Sequence, residues 1–240
     1  YLINKMIEYG NYNNFSFNDN NMKTVTPVQN NYNPNNSSPT FTVNQYQNFA
    51  NANVTPVQPQ FGVNSVFQNQ NKKTLVLDLD ETLVHSSFAI PPRKPDFFFK
   101  ANFDGVYRII YVLIRPYAEE FLREVSQFFD VIIFTASLAQ YADVVISKID
   151  KGNYVKGRLF RQHCLFDKGL YIKDLKKFGK DLKDIVIIDN NPVSYAINQD
   201  NGIPIPTWYE DLNDNELYKL IPILRYLSKV NDVRQIIRQI

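Results

Sequence analysis

Asp78 and Asp80 lie two residues apart at the end of an apolar run and are followed by Thr82. Two carboxylates so close in sequence repel each other, so a site built on them calls for a cation. Two further apolar runs end in polar groups. Residues 131–134 lead into Thr135-Ala136-Ser137, and residues 185–188 lead into Asp189-Asn190. Lys173 lies between those runs, in Tyr171-Ile172-Lys173-Asp174. Carboxylates with an amide suit Mg²⁺, a hard cation held by oxygen. A lysine and a hydroxyl suit the phosphate oxygens that such a metal would bridge. A D-x-D pair alone is also what a solvated strand end with ordinary surface acids looks like. The coincidence of three such ends favours a phosphate site.

The elements must bring these ends to one edge. Residues 75–79 have the length and bulk of a strand buried on both faces, as in the middle of a parallel sheet. In such sheets ligands sit beyond the carboxyl ends of the strands. Residues 97–103 and 106–113 flank Asp104-Gly105, a hairpin signal. Pro116 opens a helix through about residue 129, with Phe121, Leu122, Val125, Phe128 and Phe129 on one face. A second helix runs from about 138 to 150. Residues 203–206 suit a short strand. An amphipathic helix covers 213–228, with Leu217, Leu220, Ile221 and Leu224 inward, and Asp232 caps a last one carrying Val233, Ile236, Ile237 and Ile240. Strands alternating with helices argue a three-layer α/β domain with a mainly parallel sheet.

Residues 1–71 are of another material. They are crowded with asparagine and glutamine, and the few charges (Lys5, Lys23, Glu8, Asp19) cancel. Too little apolar density is present to offset the entropy of ordering, so this segment is expected to be a disordered tail, and residues 72–240 the folded domain. Aromatics such as Tyr12, Phe15 and Tyr46 suggest a self-associating or docking tail, or only compositional drift. Residues 24–29 and 54–58 share T-P-V-Q, a weak repeat.

The 240 residues carry a net charge of +2, which gives no argument for nucleic-acid binding. Cys164 is alone, so no disulfide framework or zinc spacing exists, and an intracellular location, nucleus or cytoplasm, is expected. No stretch is long enough to span a bilayer. The chain starts at Tyr1 rather than Met, which leaves room for an upstream targeting segment.

Other sites fail on spacing. An EF-hand loop from Asp78 would need Gly and Glu where Leu83 and Ala89 stand. Gly152 and Gly157 have P-loop spacing, but Arg158-Leu159 follow. Six residues after Cys164 comes Leu170, not the arginine of a cysteine-dependent phosphatase. No G-x-S-x-G nucleophile elbow occurs.

The order D-x-D-x-T, strand-terminal Thr, Lys, then D-N resembles haloacid-dehalogenase-type phosphohydrolases. Residues 77–87 (LDLDETLVHSS), 112–116 (VLIRP), 134–143 (FTASLAQYAD), 158–161 (RLFR) and 188–192 (IDNNP) resemble the small phosphatases of the RNA polymerase II C-terminal domain. The resemblance covers residues 72–239 and implies a haloacid-dehalogenase-like fold with a small β-hairpin insert after the first strand. It implies Asp78 as the nucleophile that becomes an aspartyl phosphate. Asp80 would protonate the leaving serine or threonine oxygen and then deprotonate water. Thr82 would orient the loop, Thr135 would bond the phosphoryl oxygens and Lys173 would neutralise them. Asp78, the backbone carbonyl of Asp80, and Asp189 or Asn190 would hold Mg²⁺. Such a role is chemically sound, because a cation lets a carboxylate attack an anionic phosphorus, and an ionised neighbour lets Asp80 hold a proton.

By position in the family, Phe88, Leu138 and Tyr111 would line an apolar pocket for a residue near the phosphoserine, and Arg161 would meet a second charge. Phe88 and Leu138 would equally suit plain core packing. His163 and Phe97-Phe98-Phe99 depart from the relatives' pattern near that face. His163 and His85 are both expected to be structural. Lys168, Lys176, Lys177, Lys180 and Lys183 suit either attraction of acidic phosphopeptides or a solvated face. The implied protein is a monomeric Mg²⁺-dependent phosphatase of phosphoserine or phosphothreonine proteins, with the polymerase tail as one substrate. The alternatives are a small-molecule phosphatase of the same superfamily and a catalytically dead binding module. The small insert disfavours the first, and the intact motif residues disfavour the second.

Overall fold

A computed structural model describes residues 72–103 and 105–239. The asparagine-rich segment and its T-P-V-Q repeat lie outside the described residues, as does Asp104.

The run at residues 75–79 forms β1 (Lys73–Leu77), the central strand of a five-stranded sheet. It pairs in parallel with β5 (Phe129–Phe134) on one side and β9 (Ile185–Asp189) on the other. Beyond β5 lies β6 (Val155–Leu159), and beyond β9 lies β10 (Gly202–Pro204), both parallel. The parallel register puts Leu77, Ile133 and Ile188 side by side, so the polar residues after them emerge on one edge.

Alternation along the strands sends side chains to two cores. Leu75, Leu77, Val131, Ile133, Val186 and Ile188 face one cluster. There they meet α1 (Ala118–Ser126), α2 (Ala139–Ile149) and α3 (Glu216–Leu227) through Phe121, Val145 and Leu224 among others. Val76, Ile132, Phe134, Ile185 and Ile187 face the other, against Leu175, Phe178 and Tyr195. That second layer consists of 3-10 turns at Leu175–Phe178 and Pro192–Asn201 rather than α-helices. A last short helix, α4, covers Val233–Ile237 and starts at an Asp232 cap.

The expected hairpin is part of a larger insert. β3 (Phe97–Phe103) pairs with β4 (Val106–Ile114), and β4 pairs also with β2 (Val84–Ser87), giving the order β2-β4-β3. The four-residue VHSS of β2 is too short and polar to signal a strand by itself. It forms because β4 offers a free edge. The two-residue strand ends at 103 and 106 fall where the hairpin signal placed them, and Gly105 takes φ 85.

The helix expected at 116–129 is shorter at both ends. Tyr117 takes a left-handed φ of 66, so regular helix begins at Ala118. Phe129 leaves the helix altogether: it is the first residue of β5, paired with Lys73. The strand β6 and the hairpin of β7 (Leu165–Asp167) with β8 (Leu170–Ile172) had no hydrophobic pattern to announce them. No helix among the described residues is long and apolar enough to cross a membrane.

Candidate active site

The chain turns sharply where β1 ends. Asp78 N–H still donates to Ile188 O at 3.0 Å, as a continuing strand would. Then Leu83 and Val84 N–H both return to Leu79 O, at 2.9 and 3.2 Å. Glu81 takes a left-handed φ of 61 to allow this. Such a conformation is unfavourable for a side chain larger than glycine's and persists where surroundings fix it. Here Trp208 N–H donates to Glu81 O at 2.9 Å, and the buried Glu81 carboxylate holds His85 Nδ1 at 3.0 Å. His85 also packs edge-on to Tyr209, so it supports the loop from outside the cluster of acids.

Lys173 enters from the end of β8, its N–H held by Ser194 O at 2.6 Å. Its ammonium is 1% exposed and contacts Asp78 Oδ1 and Asp189 Oδ2, each at 2.6 Å. Burial alone would lower the lysine pKa, but the two carboxylates reverse this and hold it well above the usual value, so it stays cationic. Burial lifts Asp189 to about 6 against the pull of Lys173. One ammonium therefore serves both carboxylates, with Asp80 close by.

Thr82 Oγ1 donates to Asp78 Oδ2 at 3.0 Å and lies 3.4 Å from Asn190 Oδ1. Asn190 Nδ2 donates to Thr207 Oγ1 at 3.1 Å, which fixes the amide with its oxygen toward Thr82. Asp189 has both oxygens engaged, one by Lys173 and one by Asn191 N–H at 2.8 Å.

Asp80 turns toward β5 and α2. Its Oδ2 accepts from Ser137 at 2.7 Å and Thr135 at 3.3 Å, and its Oδ1 accepts from Tyr141 Oη at 2.5 Å. Burial and then the charge of Asp78 push its pKa up, more than these hydrogen bonds pull it down. Asp78, Asp80, Thr82, Thr135, Lys173, Asp189 and Asn190 are thus one connected cluster. Ser137, from the polar end after residues 131–134, belongs to it too, as do Tyr141 and Thr207, which had not been singled out. Tyr141 resembles any aromatic on an amphipathic helix, and its role depends on where α2 lies.

Phe88 and Leu138 both pack against the core that underlies the insert. Phe88 meets Phe103 edge-on at 6.3 Å, and Arg108 lies 5.7 Å over its ring. Tyr111 does not join them. Strand alternation places Ile110 and Val112 on the core face and Tyr111 on the reverse, beside Phe98. There Tyr111 lines a separate cavity of about 360 Å³ with His85, Ser87 and Leu113. Arg161 donates to Ala136 O at 2.6 Å and stands 4.6 Å over the ring of Tyr171, beside the Thr135-Ala136-Ser137 turn. His163 Nδ1 accepts from Phe160 N–H at 2.9 Å, and burial holds its pKa below the usual value. It is a neutral cap on a 3-10 turn, as expected of a structural histidine.

Among the described residues, no three carboxylate, histidine or cysteine side chains form a ready cation cage. A cation here would have the Asp78 carboxylate, a backbone oxygen, an oxygen from Asp189 or Asn190, and solvent. That set fits Mg²⁺, which keeps several waters and commonly takes one or two carboxylates plus substrate phosphate.

Residues 73–234 match the model of the NLI interacting factor-like phosphatase family. The Caenorhabditis elegans CTD small phosphatase-like protein 1 is 48% identical over 171 residues, which are 71% of this chain and 35% of that protein. The human carboxy-terminal domain RNA polymerase II polypeptide A small phosphatase 1 is 45% identical over 172 residues, 72% of this chain and 66% of that protein. The probable C-terminal domain small phosphatase of Dictyostelium discoideum is 48% identical over 165 residues, 69% of this chain and 54% of that protein. The matched regions therefore span between about a third and two thirds of these relatives. Among solved structures, that of Fcp1, an essential RNA polymerase II CTD phosphatase, aligns with a TM-score of 0.50 at 20% identity, covering 74% of this chain and 54% of that one. That likeness speaks for the fold.

Proposed function

Because the chain belongs to the NLI interacting factor-like phosphatase family, we propose that it is a Mg²⁺-dependent phosphatase of phosphoserine and phosphothreonine proteins. The observation that carries this reading is the Asp78–Lys173–Asp189 cluster, buried at the carboxyl edge of the parallel sheet.

Asp78 is the nucleophile. Lys173 and Thr82 fix its two oxygens, so its attack on phosphorus needs little reorganisation. Its oxygen bonds to phosphorus as the bond from phosphorus to the serine oxygen breaks. Asp80 gives its proton to that departing oxygen, and the aspartyl phosphate on Asp78 is later hydrolysed by a water that Asp80 deprotonates. Lys173 and the Thr135 hydroxyl meet charge on the transferring phosphoryl oxygens. Asp78, the backbone carbonyl of Asp80 and Asn190 would hold Mg²⁺ directly. Asp189 would act through Lys173, whose ammonium it meets at 2.6 Å. Bound there, the cation screens the charge between the attacking carboxylate and the phosphate.

Phe88 and Leu138 would meet an apolar residue beside the phosphoserine, and Arg161 a second anionic group. The human relative is named for the carboxy-terminal domain of RNA polymerase II, so tail repeats are the first substrates proposed, with action in the nucleus. The test is an array of phosphopeptides, tail repeats included, beside a panel of phosphometabolites. Mg²⁺-dependent release of phosphate from peptides is expected. Turnover confined to phosphometabolites would overturn the protein-substrate reading, and no turnover of any ester would leave a binding module.

A further inference from the structure

The Tyr141 hydroxyl stands between two partners, 2.5 Å from Asp80 Oδ1 and 2.7 Å from Ser86 Oγ. The side chain is 2% exposed, and the ring of Phe99 stacks on it at 6.2 Å and 20°. A phenol has one proton to give. With Asp80 ionised the carboxylate can only accept, so in that state the phenol proton goes to Asp80. Ser86 must then donate to the phenol oxygen, and the order is Ser86 to Tyr141 to Asp80. On its other oxygen Asp80 accepts from Ser137 and Thr135.

The carboxyl group of Asp80 is therefore gripped at both oxygens by hydroxyls from different elements. Ser137 and Thr135 follow β5, and Tyr141 is on α2. Ser86 is on β2 and Phe99 on β3, both in the inserted sheet. Oδ2 takes two of these hydroxyls and Oδ1 only one, so Oδ1 keeps a lone-pair direction for the proton that Asp80 carries as an acid.

We propose that Tyr141 is a positioning residue for proton delivery by Asp80, and that Ser86 and Phe99 tie that positioning to the inserted sheet. The inference rests on the phosphatase reading above. In the step it serves, the Asp80 O–H bond breaks and its proton goes to the leaving oxygen. That oxygen also takes the electron pair of the breaking P–O bond. Tyr141 keeps its own proton throughout. The role matters most where the leaving group is strongly basic. General acid catalysis is worth about 10²–10⁴-fold, and small misplacements forfeit much of it.

Tyr141→Phe keeps the ring and its stacking and removes only the hydroxyl. The readout is kcat/KM, which covers only steps up to release of the alcohol, so the later hydrolysis of the aspartyl phosphate drops out. Phenyl phosphate leaves as an anion about as basic as a tyrosine phenolate, pKa about 10. The p-nitrophenolate anion is far less basic and leaves without a proton. The variant should lose about tenfold on phenyl phosphate and on a phosphoserine peptide, and less than about twofold on p-nitrophenyl phosphate. Ser86→Ala should shift the same ratio in the same direction by about threefold, and it keeps the test decisive if Tyr141→Phe fails to fold. Equal losses on all esters would assign Tyr141 a structural role and overturn the proposal, as would no change on any. Wild-type protein inert toward p-nitrophenyl phosphate would instead overturn the phosphatase reading, and this inference with it.

Discussion

Lys173 and Asp189 meet at 2.6 Å although each side chain is only 1% exposed. The same ammonium holds Asp78 at 2.6 Å from the end of a different strand. A lysine buried this deeply is tolerated only because two carboxylates meet it, and the carboxylates tolerate burial only because of the lysine.

Lys173→Met should therefore damage both stability and activity. Removing one partner of a buried pair costs about 3–5 kcal/mol, which in a domain of this size lowers Tm by roughly 6–20 °C. Turnover should fall by about 10² or more, since charge on the transferring phosphoryl group loses its cation. Calorimetry and steady-state kinetics check the two halves separately. An unshifted Tm would show that the carboxylates are not stabilised by the ammonium.

Asp78→Asn should separate chemistry from folding. The amide keeps the shape and removes one of the carboxylates around a single ammonium, so Tm should hold or rise. Turnover should disappear, because an amide does not attack phosphorus. Near-normal hydrolysis would remove Asp78 from the nucleophile's place.

The contrast between Asp78 and Tyr141 marks what was legible in the sequence. Asp78, Thr135 and Asp189 follow buried strands, and a parallel sheet forces such ends together, so their convergence could be read from hydrophobic runs. Lys173 stood out because a cation among aliphatic and aromatic neighbours needs a reason. Tyr141 and Thr207 gave no such signal, since what they touch depends on how α2 and the segment after β10 lie in space. Tyr111 stands apart from Phe88 and Leu138 for a related reason. Its distance along the chain suited the pocket, but the period-2 alternation of β4 turns it to the reverse face. The strand β2 was missed because its pairing, rather than its composition, makes it a strand.

Arg115 and Asp214 give a prediction in pH. Arg115 is 1% exposed and pairs bidentately with Asp214, at 2.8 Å from Nε and 2.7 Å from Nη2, while Nη1 donates to Thr82 O at 3.2 Å. Burial raises the Asp214 pKa, and the hydrogen bonds and charge of Arg115 outweigh this, so the carboxyl sits below its usual 3.8. A depressed carboxylate stabilises the fold above its unfolded pKa, and that stability is lost as pH falls through the lower folded value. Asp214→Asn should lower Tm by a nearly constant amount from about pH 5 to 7, and the gap to wild type should close below about pH 4. An undiminished gap at about pH 3 would show that the pair is not the source.

Thr207 offers a test of how the cation is held. Its hydroxyl oxygen accepts from Asn190 Nδ2 at 3.1 Å and so keeps the amide oxygen on the side of Thr82. Outer partners of this kind commonly alter metal affinity about 10–100-fold. Thr207→Val conserves shape and removes the acceptor. The Mg²⁺ concentration for half-maximal activity should rise about tenfold, with kcat at saturating Mg²⁺ near the wild-type value and Tm without added metal unchanged. Asn190→Ala should raise it further, because the oxygen itself is lost. If both variants titrate with Mg²⁺ as wild type does, the amide is not a ligand. Asp189 would then have to turn an oxygen away from Lys173 or from the Asn191 N–H to serve instead.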